Sequence, residues 1–484
     1  MSSLLLFALP AAAQSNYLVI IADDLGTDKI SAYYTDFSAY TGAHLPVTPE
    51  IDTLASQGAR FSRAWANPSC SPTRASLQTG VYAFRHGIGA ALEDVDAGLV
   101  PTDWTGQLLG QLFAHAGFAT GYFGKWHVGT KDAGGTGLPN ELELTDEPHP
   151  VRLGYQRFHG TITGEMNPNY FDWPLVDWAD GAGTFDAAPG VHSLIDTTDA
   201  ASTWIGEVAA EDEPWLAVVA YHAPHSPNGD EGWRPGDLAA ECVITEPCLV
   251  SGTCATTPGV KNDEEDLAVY RTLVECLDAE VGRLLDQIGP DELDDTIVVF
   301  MGDNGTPSDV QEGVFLANGG KGTVMEGGIR VPLVIADGGV RTGELTPDIP
   351  AGLVITDPVL TVDLHATLTH HAGITVTPET DSHTLHPCLT TGACGWGNKF
   401  RYTEKFDVAK PDSHIAAVGW GTDKMQVSMD DGCLLPAFYF TSGTSLDLPM
   451  VLGSAVRKDR LKNHFLGLHA SDPSSWAYGL SFCE

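Results

Sequence analysis

Asn16-Tyr17-Leu18-Val19-Ile20-Ile21-Ala22-Asp23-Asp24-Leu25-Gly26 decides the fold class. Its first seven residues form an unbroken β-branched and aliphatic run, the pattern of a strand buried on both faces, and two carboxylates follow where the run stops. Similar runs occupy residues 118–124, 215–221, 296–302 and 331–336. Amphipathic helical patterns over residues 48–58, 104–117, 263–288 and 357–373 are interspersed with them. Strands alternating with helices predict an α/β fold: a large, mostly parallel sheet sandwiched between helices.

In such sheets ligands bind beyond the carboxyl ends of the strands. Polar residues follow four of the runs directly: Asp23-Asp24, Lys125-Trp126-His127, His222 to His225, and Asp303-Asn304. These groups are expected to converge. Residues 131–190, rich in Gly, Pro and Asp, read as long insertion loops, and 230–260 as another. Beyond about residue 375 the pattern changes to short irregular segments. A catalytic domain over 16–375 and a smaller α+β C-terminal domain over 376–484 are expected.

The 484 residues carry 25 Lys+Arg against 64 Asp+Glu, a formal charge of -39. That excess repels a phosphate backbone and excludes nucleic acid as a partner. No apolar run reaches the roughly 20 residues that span a bilayer. Residues 1–15 join a short apolar stretch to Ala11-Ala12-Ala13, resembling a signal peptide without its basic start, so a secreted or periplasmic protein is expected. Eight of the nine cysteines lie in the second half and Cys70 stands alone in the first. An even set predicts up to four disulfides, with Cys388 and Cys394 the clearest pair, although buried free thiols in a cytosolic enzyme are the alternative.

Asp23, Asp24, Asp303 and Asn304 offer oxygen donors, which suit calcium or magnesium better than zinc. Asp-Asp-x-Gly and Asp-Asn-Gly are also good turn formers, and both readings stand on composition alone. Asn304-Gly305-Thr306 matches a glycosylation sequon, read as coincidental in a strand-end turn.

Cys70-Ser71-Pro72-Thr73-Arg74-Ala75-Ser76-Leu77-Gln78-Thr79-Gly80 places an arginine one helical turn beyond a cysteine. The segment resembles the signature of the sulfatases, Cys-x-Pro-x-Arg followed by Thr-Gly, in which the cysteine is oxidised to formylglycine. Residues 17–26, 48–66, Gly124-Lys125-Trp126-His127-Val128-Gly129, 220–227, Gly302-Asp303-Asn304-Gly305 and 320–332 continue the resemblance in order, over about residues 16–373.

The resemblance implies an alkaline phosphatase-like fold and a sulfatase that cleaves a sulfate monoester to an alcohol or phenol plus sulfate. It implies that Cys70 becomes formylglycine, matured by a formylglycine-generating enzyme, and supplies the nucleophilic oxygen. Asp23, Asp24, Asp303 and Asn304, with the modified Cys70 counted among the ligands, would hold calcium, and magnesium less readily. Arg74 would stabilise the nucleophile; Lys125, His225 and Lys321 would bind sulfate oxygens, with His225 protonating the leaving oxygen; His127 would take a proton from the second hydroxyl. The substrate would be a sulfated small molecule or carbohydrate. Two rivals are a phosphonate monoester hydrolase or phosphodiesterase on the same scaffold, and a non-catalytic calcium-stabilised binding protein with an unmodified Cys70.

His222 is expected to pack or hydrogen-bond, His370-His371 to face solvent, and Arg85 and His86 to border the site. The serine or threonine that some sulfatases place after the Gly-Lys-Trp-His block has no clear counterpart, because residues 160–167 do not align with the family pattern. Residues 170–178 (YFDWPLVDW) read equally as an aromatic substrate platform or as a loop tucked onto the core.

Overall fold

The computed structural model describes residues 15–37, 45–93, 106–129, 147–164, 169–186, 189–227, 232–255, 264–312, 319–339, 349–377, 380–396, 399–407, 414–420, 423–430, 433–442, 445–449 and 455–470, with 98–99, 104, 166, 477 and 482. The proposed leader lies outside them. A ten-stranded sheet forms the centre, its strands starting in sheet order at residues 353, 59, 333, 296, 16, 215, 119, 157, 175 and 182. The five strands from Thr296–Gly302 to Arg157–Thr161 run parallel, and antiparallel pairs flank them on both sides. The expected large, mostly parallel mixed sheet is therefore present.

Alternation along Asn16–Ala22 explains the layering. Tyr17, Val19 and Ile21 enter one core, and Leu18, Ile20 and Ala22 the other, because successive side chains leave opposite faces of a strand. The helices Cys70–Thr79, Leu109–His115 and Asp363–His371 supply Leu77, Phe113 and Leu364 to the first core. Pro49–Gln57, Ser193–Ala210 and Glu264–Ile288 supply Leu54, Trp204 and Leu277 to the second.

Two helices start later than their patterns predict. Gly106 takes a left-handed φ of 77°, which delays the helix to Leu109, and Val359–Leu360 is drawn into a separate three-stranded sheet. Part of the segment read as insertion loops is instead sheet: Arg157–Thr161, Leu175–Ala179 and Ala182–Asp186 extend it from the edge of Ala119–Lys125. Tyr170, Trp173 and Trp178 are buried in the cores, so these aromatics form no exposed platform.

Among the described residues, disulfides join Cys242 to Cys276, Cys248 to Cys254, and Cys388 to Cys394, the last as expected. Cys70 is free and buried. The side chain of Cys433, and Cys483, lie outside the described residues.

The C-terminal part forms a five-stranded antiparallel sheet from Phe400–Lys405 to Ser445–Pro449, against which the helix Ala455–Ala470 packs Leu461 and Phe465. Its first strand joins the large sheet's surroundings: Thr403 Oγ1 donates to Ala66 O at 2.8 Å, and the Phe84 amide donates to Glu404 Oε1 at 2.7 Å. A buried charge cluster reinforces the seam. Lys424 Nζ lies 3.2 Å from Glu326 Oε1, Arg330 is 3.8 Å from Glu326, and the Arg401 guanidinium stacks 3.7 Å over the Trp65 ring.

Burial raises a carboxyl, but Lys424, and after it Arg330 and Arg401, outweigh that effect and hold Glu326 at about 2. A carboxylate depressed in the folded state contributes stability that is complete above its ordinary value of 4.5 and vanishes as pH falls through about 2. Urea unfolding of the wild type and Glu326→Gln should show their stability gap widest at neutral pH and closing between these limits. A gap that does not vary with pH would contradict the ion pair's role.

Candidate active site

Strand register brings the polar residues together. Ala22 lies level with Tyr221 on one side and Gly302 on the other, and Gly124 pairs with Ala220. Asp23, Lys125, His222 and Asp303 therefore leave the sheet at one level. Beyond them, the helix Cys70–Thr79 begins with Cys70, almost fully buried, so the positive end of the helix dipole faces the strand ends. The helix stops at Gly80, whose φ of 71° suits glycine and whose amide donates to Ser76 O at 2.8 Å.

Arg74 lies one turn below Cys70. Its Nε donates to Asp303 Oδ2 at 2.9 Å and its Nη1 to the Lys125 carbonyl at 2.6 Å. The same carbonyl accepts from Tyr122 Oη at 2.8 Å, so two buried donors fix the turn that carries Lys125. Lys125 Nζ pairs with Asp23 Oδ2. Lys321 Nζ lies 2.7 Å from Asp24 Oδ1, which also accepts from Asn304 Nδ2 at 2.8 Å. His225 Nε2 stands 3.7 Å from Asp24 Oδ2, while its Nδ1 donates to Ser226 O at 2.6 Å.

Of the predicted residues, Arg74, Lys125, His225, Lys321, Asp23, Asp24, Asp303 and Asn304 are thus linked through direct contacts, and Cys70 and His127 contact each other beside them. Burial raises both Asp23 and Asp303, but Lys125, then His225, Arg74 and Lys321, hold Asp23 well below the usual carboxylate range. Burial and the charge of Asp23 push Asp303 well above that range despite Arg74. Two buried oxygens, Asp23 Oδ1 and Asn304 Oδ1, have no hydrogen-bond donor among the described residues. Ligand atoms of Asp23, Cys70 and Asp303 lie within 4.8 Å of one another, as do those of Asp23, Asp24 and His225. Unpaired buried oxygens beside crowded carboxylates are the donor set a hard divalent cation requires. Asn304 is fully buried, which excludes its use as a glycosylation acceptor in the folded chain.

His127 closes the other side. Its Nε2 donates to Leu92 O at 2.9 Å, which leaves the Nδ1 lone pair facing Cys70 Sγ at 3.2 Å. Burial, with Lys125 nearby, lowers it to about 3; burial with Lys321 and Lys125 lowers His225 to about 4. Both imidazoles are neutral at pH 7. Asp24 and His127 are non-glycine residues at φ 64° and 54°, and strain of this kind gathers where side chains must be aimed.

His222 is buried against the Thr161 hydroxyl at 2.8 Å, as expected of a packing residue, and Thr161 lies in the stretch 160–167 that does not align with the family pattern. His86 meets the Ser76 hydroxyl at 3.1 Å, beneath the helix, and Arg85 pairs with Asp381 at 2.9 Å. His371 corrects the solvent-facing expectation: its Nδ1 is 2.8 Å from Tyr17 Oη. Tyr122 and Gly164 escaped the sequence reading, because an ordinary strand tyrosine and a loop glycine carry no local pattern of function.

The sulfatase family model matches residues 15–374. Mouse (Mus musculus) steryl-sulfatase is 27% identical over 510 residues, covering 89% of this chain and 72% of that protein. Bovine (Bos taurus) arylsulfatase A is 29% identical over 423 residues, covering 84% and 72%. The crystal structure of Ps i-CgsB in complex with k-i-k-neocarrahexaose superposes with a TM-score of 0.69 at 22% identity over 97% of this chain and 95% of that one, a likeness of fold.

A Cβ added at Gly164 would lie 2.3 Å from His127 Cε1. Gly164→Ala should therefore turn the imidazole away from residue 70. A crystal structure of the variant with the 3.2 Å contact intact would contradict this packing constraint.

Proposed function

The chain belongs to the sulfatase family, and from that premise we propose that it hydrolyses sulfate monoesters with calcium and with a nucleophilic oxygen carried on Cys70 after oxidation to formylglycine. The observation that carries this reading is the position of Cys70: at a helix N-terminus, 3.2 Å from a neutral histidine base, beside a cluster of unpaired buried oxygens. Hydration of formylglycine supplies a gem-diol oxygen, a nucleophile that cysteine itself does not offer.

Asp23, Asp24, Asp303 and Asn304 hold the cation. Bound there, calcium supplies positive charge that favours ionisation of the nucleophile and attracts the sulfate oxygens. Once a bound cation ionises Asp303, the three carboxylates Asp23, Asp24 and Asp303 balance the three cations Arg74, Lys125 and Lys321. A divalent ion leaves the site doubly positive, which matches a singly charged sulfate ester plus an ionised diol.

Lys125 and Lys321 bind the non-bridging sulfate oxygens, since their ammonium groups already reach to Asp23 and Asp24. Arg74, locked by Asp303 and the Lys125 carbonyl, fixes positive charge beneath residue 70. His225 protonates the leaving oxygen from Nε2, the nitrogen on the Asp24 side, after taking up a proton there as the anionic ester enters, since its Nδ1 proton is held by Ser226 O. His127 then takes the proton of the remaining hydroxyl at Nδ1, the nitrogen whose lone pair faces residue 70, and sulfate departs as the aldehyde returns.

Three disulfides among the described residues and the leader-like first residues support export to a secreted or periplasmic location. No described helix is long and apolar enough to cross a membrane. A formylglycine-generating enzyme is the maturation partner. The neocarrahexaose complex of the structural neighbour supports a sulfated carbohydrate as substrate, within a class that also includes sulfated small molecules.

Coexpressed with such a maturation enzyme, the protein should hydrolyse an aryl sulfate, and Cys70→Ala should fall to background while unfolding at the same urea concentration. Activity above background in Cys70→Ala would overturn the nucleophile assignment. Asp303→Ala should lower calcium affinity by at least the roughly 10–100-fold that loss of a group merely supporting a metal ligand costs. Full activity of that variant at limiting calcium would remove Asp303 from the metal site.

A further inference from the structure

Asp24 holds an unfavourable backbone conformation, and two contacts hold it there. Its φ is 64°, a region that side chains with a Cβ enter at a cost. Its amide donates to Asp303 Oδ1 at 3.1 Å, and its carbonyl accepts from Tyr270 Oη at 2.7 Å. Tyr270 belongs to the helix Glu264–Ile288, far from Asp24 in sequence, and is fully buried. Its ring packs edge-on against Trp233 with centroids 5.4 Å apart, and the Trp233 indole donates to Pro224 O at 2.8 Å, next to His225.

The neighbouring residue on the helix makes a second attachment to the same loop. Arg271 pairs with Glu312, and Glu312 accepts from Lys29 Nζ at 2.6 Å, five residues after Asp24. The segment 24–29 is thus fastened to the helix at both ends, and Tyr270 is the contact that bears on the strained residue.

We propose that Tyr270 is a positioning residue for the cation site: its hydroxyl keeps Asp24 in the left-handed conformation and so directs the Asp24 carboxylate toward Asp23 and Asn304. This rests on the calcium reading given above. Tyr270→Phe keeps the ring against Trp233 and removes only the donor. The Asp24 carbonyl then loses its buried partner, and relaxation of φ swings the carboxylate away.

Tyr33 provides the control, because it too is buried and donates to a main-chain carbonyl, Leu333 O, at 2.9 Å, without touching a candidate ligand. Calcium titration by calorimetry on chelator-stripped protein should show Tyr270→Phe binding about tenfold more weakly than wild type, the loss expected for one buried hydrogen bond. Tyr33→Phe should bind as wild type does, although it also loses a hydroxyl. Raising the calcium concentration should recover the rate lost by Tyr270→Phe. Wild-type affinity in Tyr270→Phe, or an equal loss in both variants, would overturn the positioning role while leaving the calcium reading intact. A wild-type protein that takes up no calcium would overturn both.

Discussion

Three carboxylates and two cations, Arg74 and Lys125, are buried together where the strands end, with the half-buried Lys321 beside them, and the rest of the site follows from the need to compensate them. An isolated ionised carboxylate is strongly disfavoured in a dry interior, so each of these groups must be paired and hydrogen-bonded. Asp23 meets Lys125, Asp303 meets Arg74, and Asp24 meets Lys321 and Asn304. Among the described residues Asp23 Oδ1 and Asn304 Oδ1 remain without donors, a condition under which a hard cation would find ligands there. In the proposed reaction the positive charge of the occupied site would hold a sulfate ester beside an ionised nucleophile.

The sheet makes this compensation possible. Parallel strands in equal register deliver Asp23, Lys125 and Asp303 to one level, and the dual-faced burial of Asn16–Ala22 fixes that register through two separate cores. A slip of one residue would exchange the two cores' side chains and rotate the carboxylates out of the site. The C-terminal sheet adds a brace: Glu326, held by Lys424, begins the turn after Lys321, and Gly322 donates its amide to Pro68 O at 2.7 Å, close to Cys70. Stability and site geometry are therefore coupled across the seam between the two sheets.

Much of this was legible in the sequence where the signal is local. Apolar runs that stop at acidic residues reported the parallel strands and their functional ends, and the segment from Cys70 to Gly80 carried the chemistry in a fixed pattern. Non-local features left no such trace. Arg157–Thr161 and Leu175–Ala179 lie in a stretch rich in turn-forming residues and become strands because the first pairs with the edge of Ala119–Lys125 and the second with the first. Tyr170 and Trp173 read equally as a ligand platform or as a loop tucked onto the core, and packing against the second core decides for the loop. Tyr270 serves Asp24 from a helix whose periodicity announces only its buried face, and Gly164 matters through a ring that approaches it in space.

The central claim, that this constellation acts on sulfate esters, is tested most directly by comparing kcat/KM for an aryl sulfate and an aryl phosphonate with the formylglycine-bearing protein in calcium. The two substrates share a leaving group and a tetrahedral anion, so their ratio reports which of the two reacting groups the site favours. A large excess for the sulfate is predicted. A large excess for the phosphonate would contradict the account and assign the same residues to phosphorus chemistry.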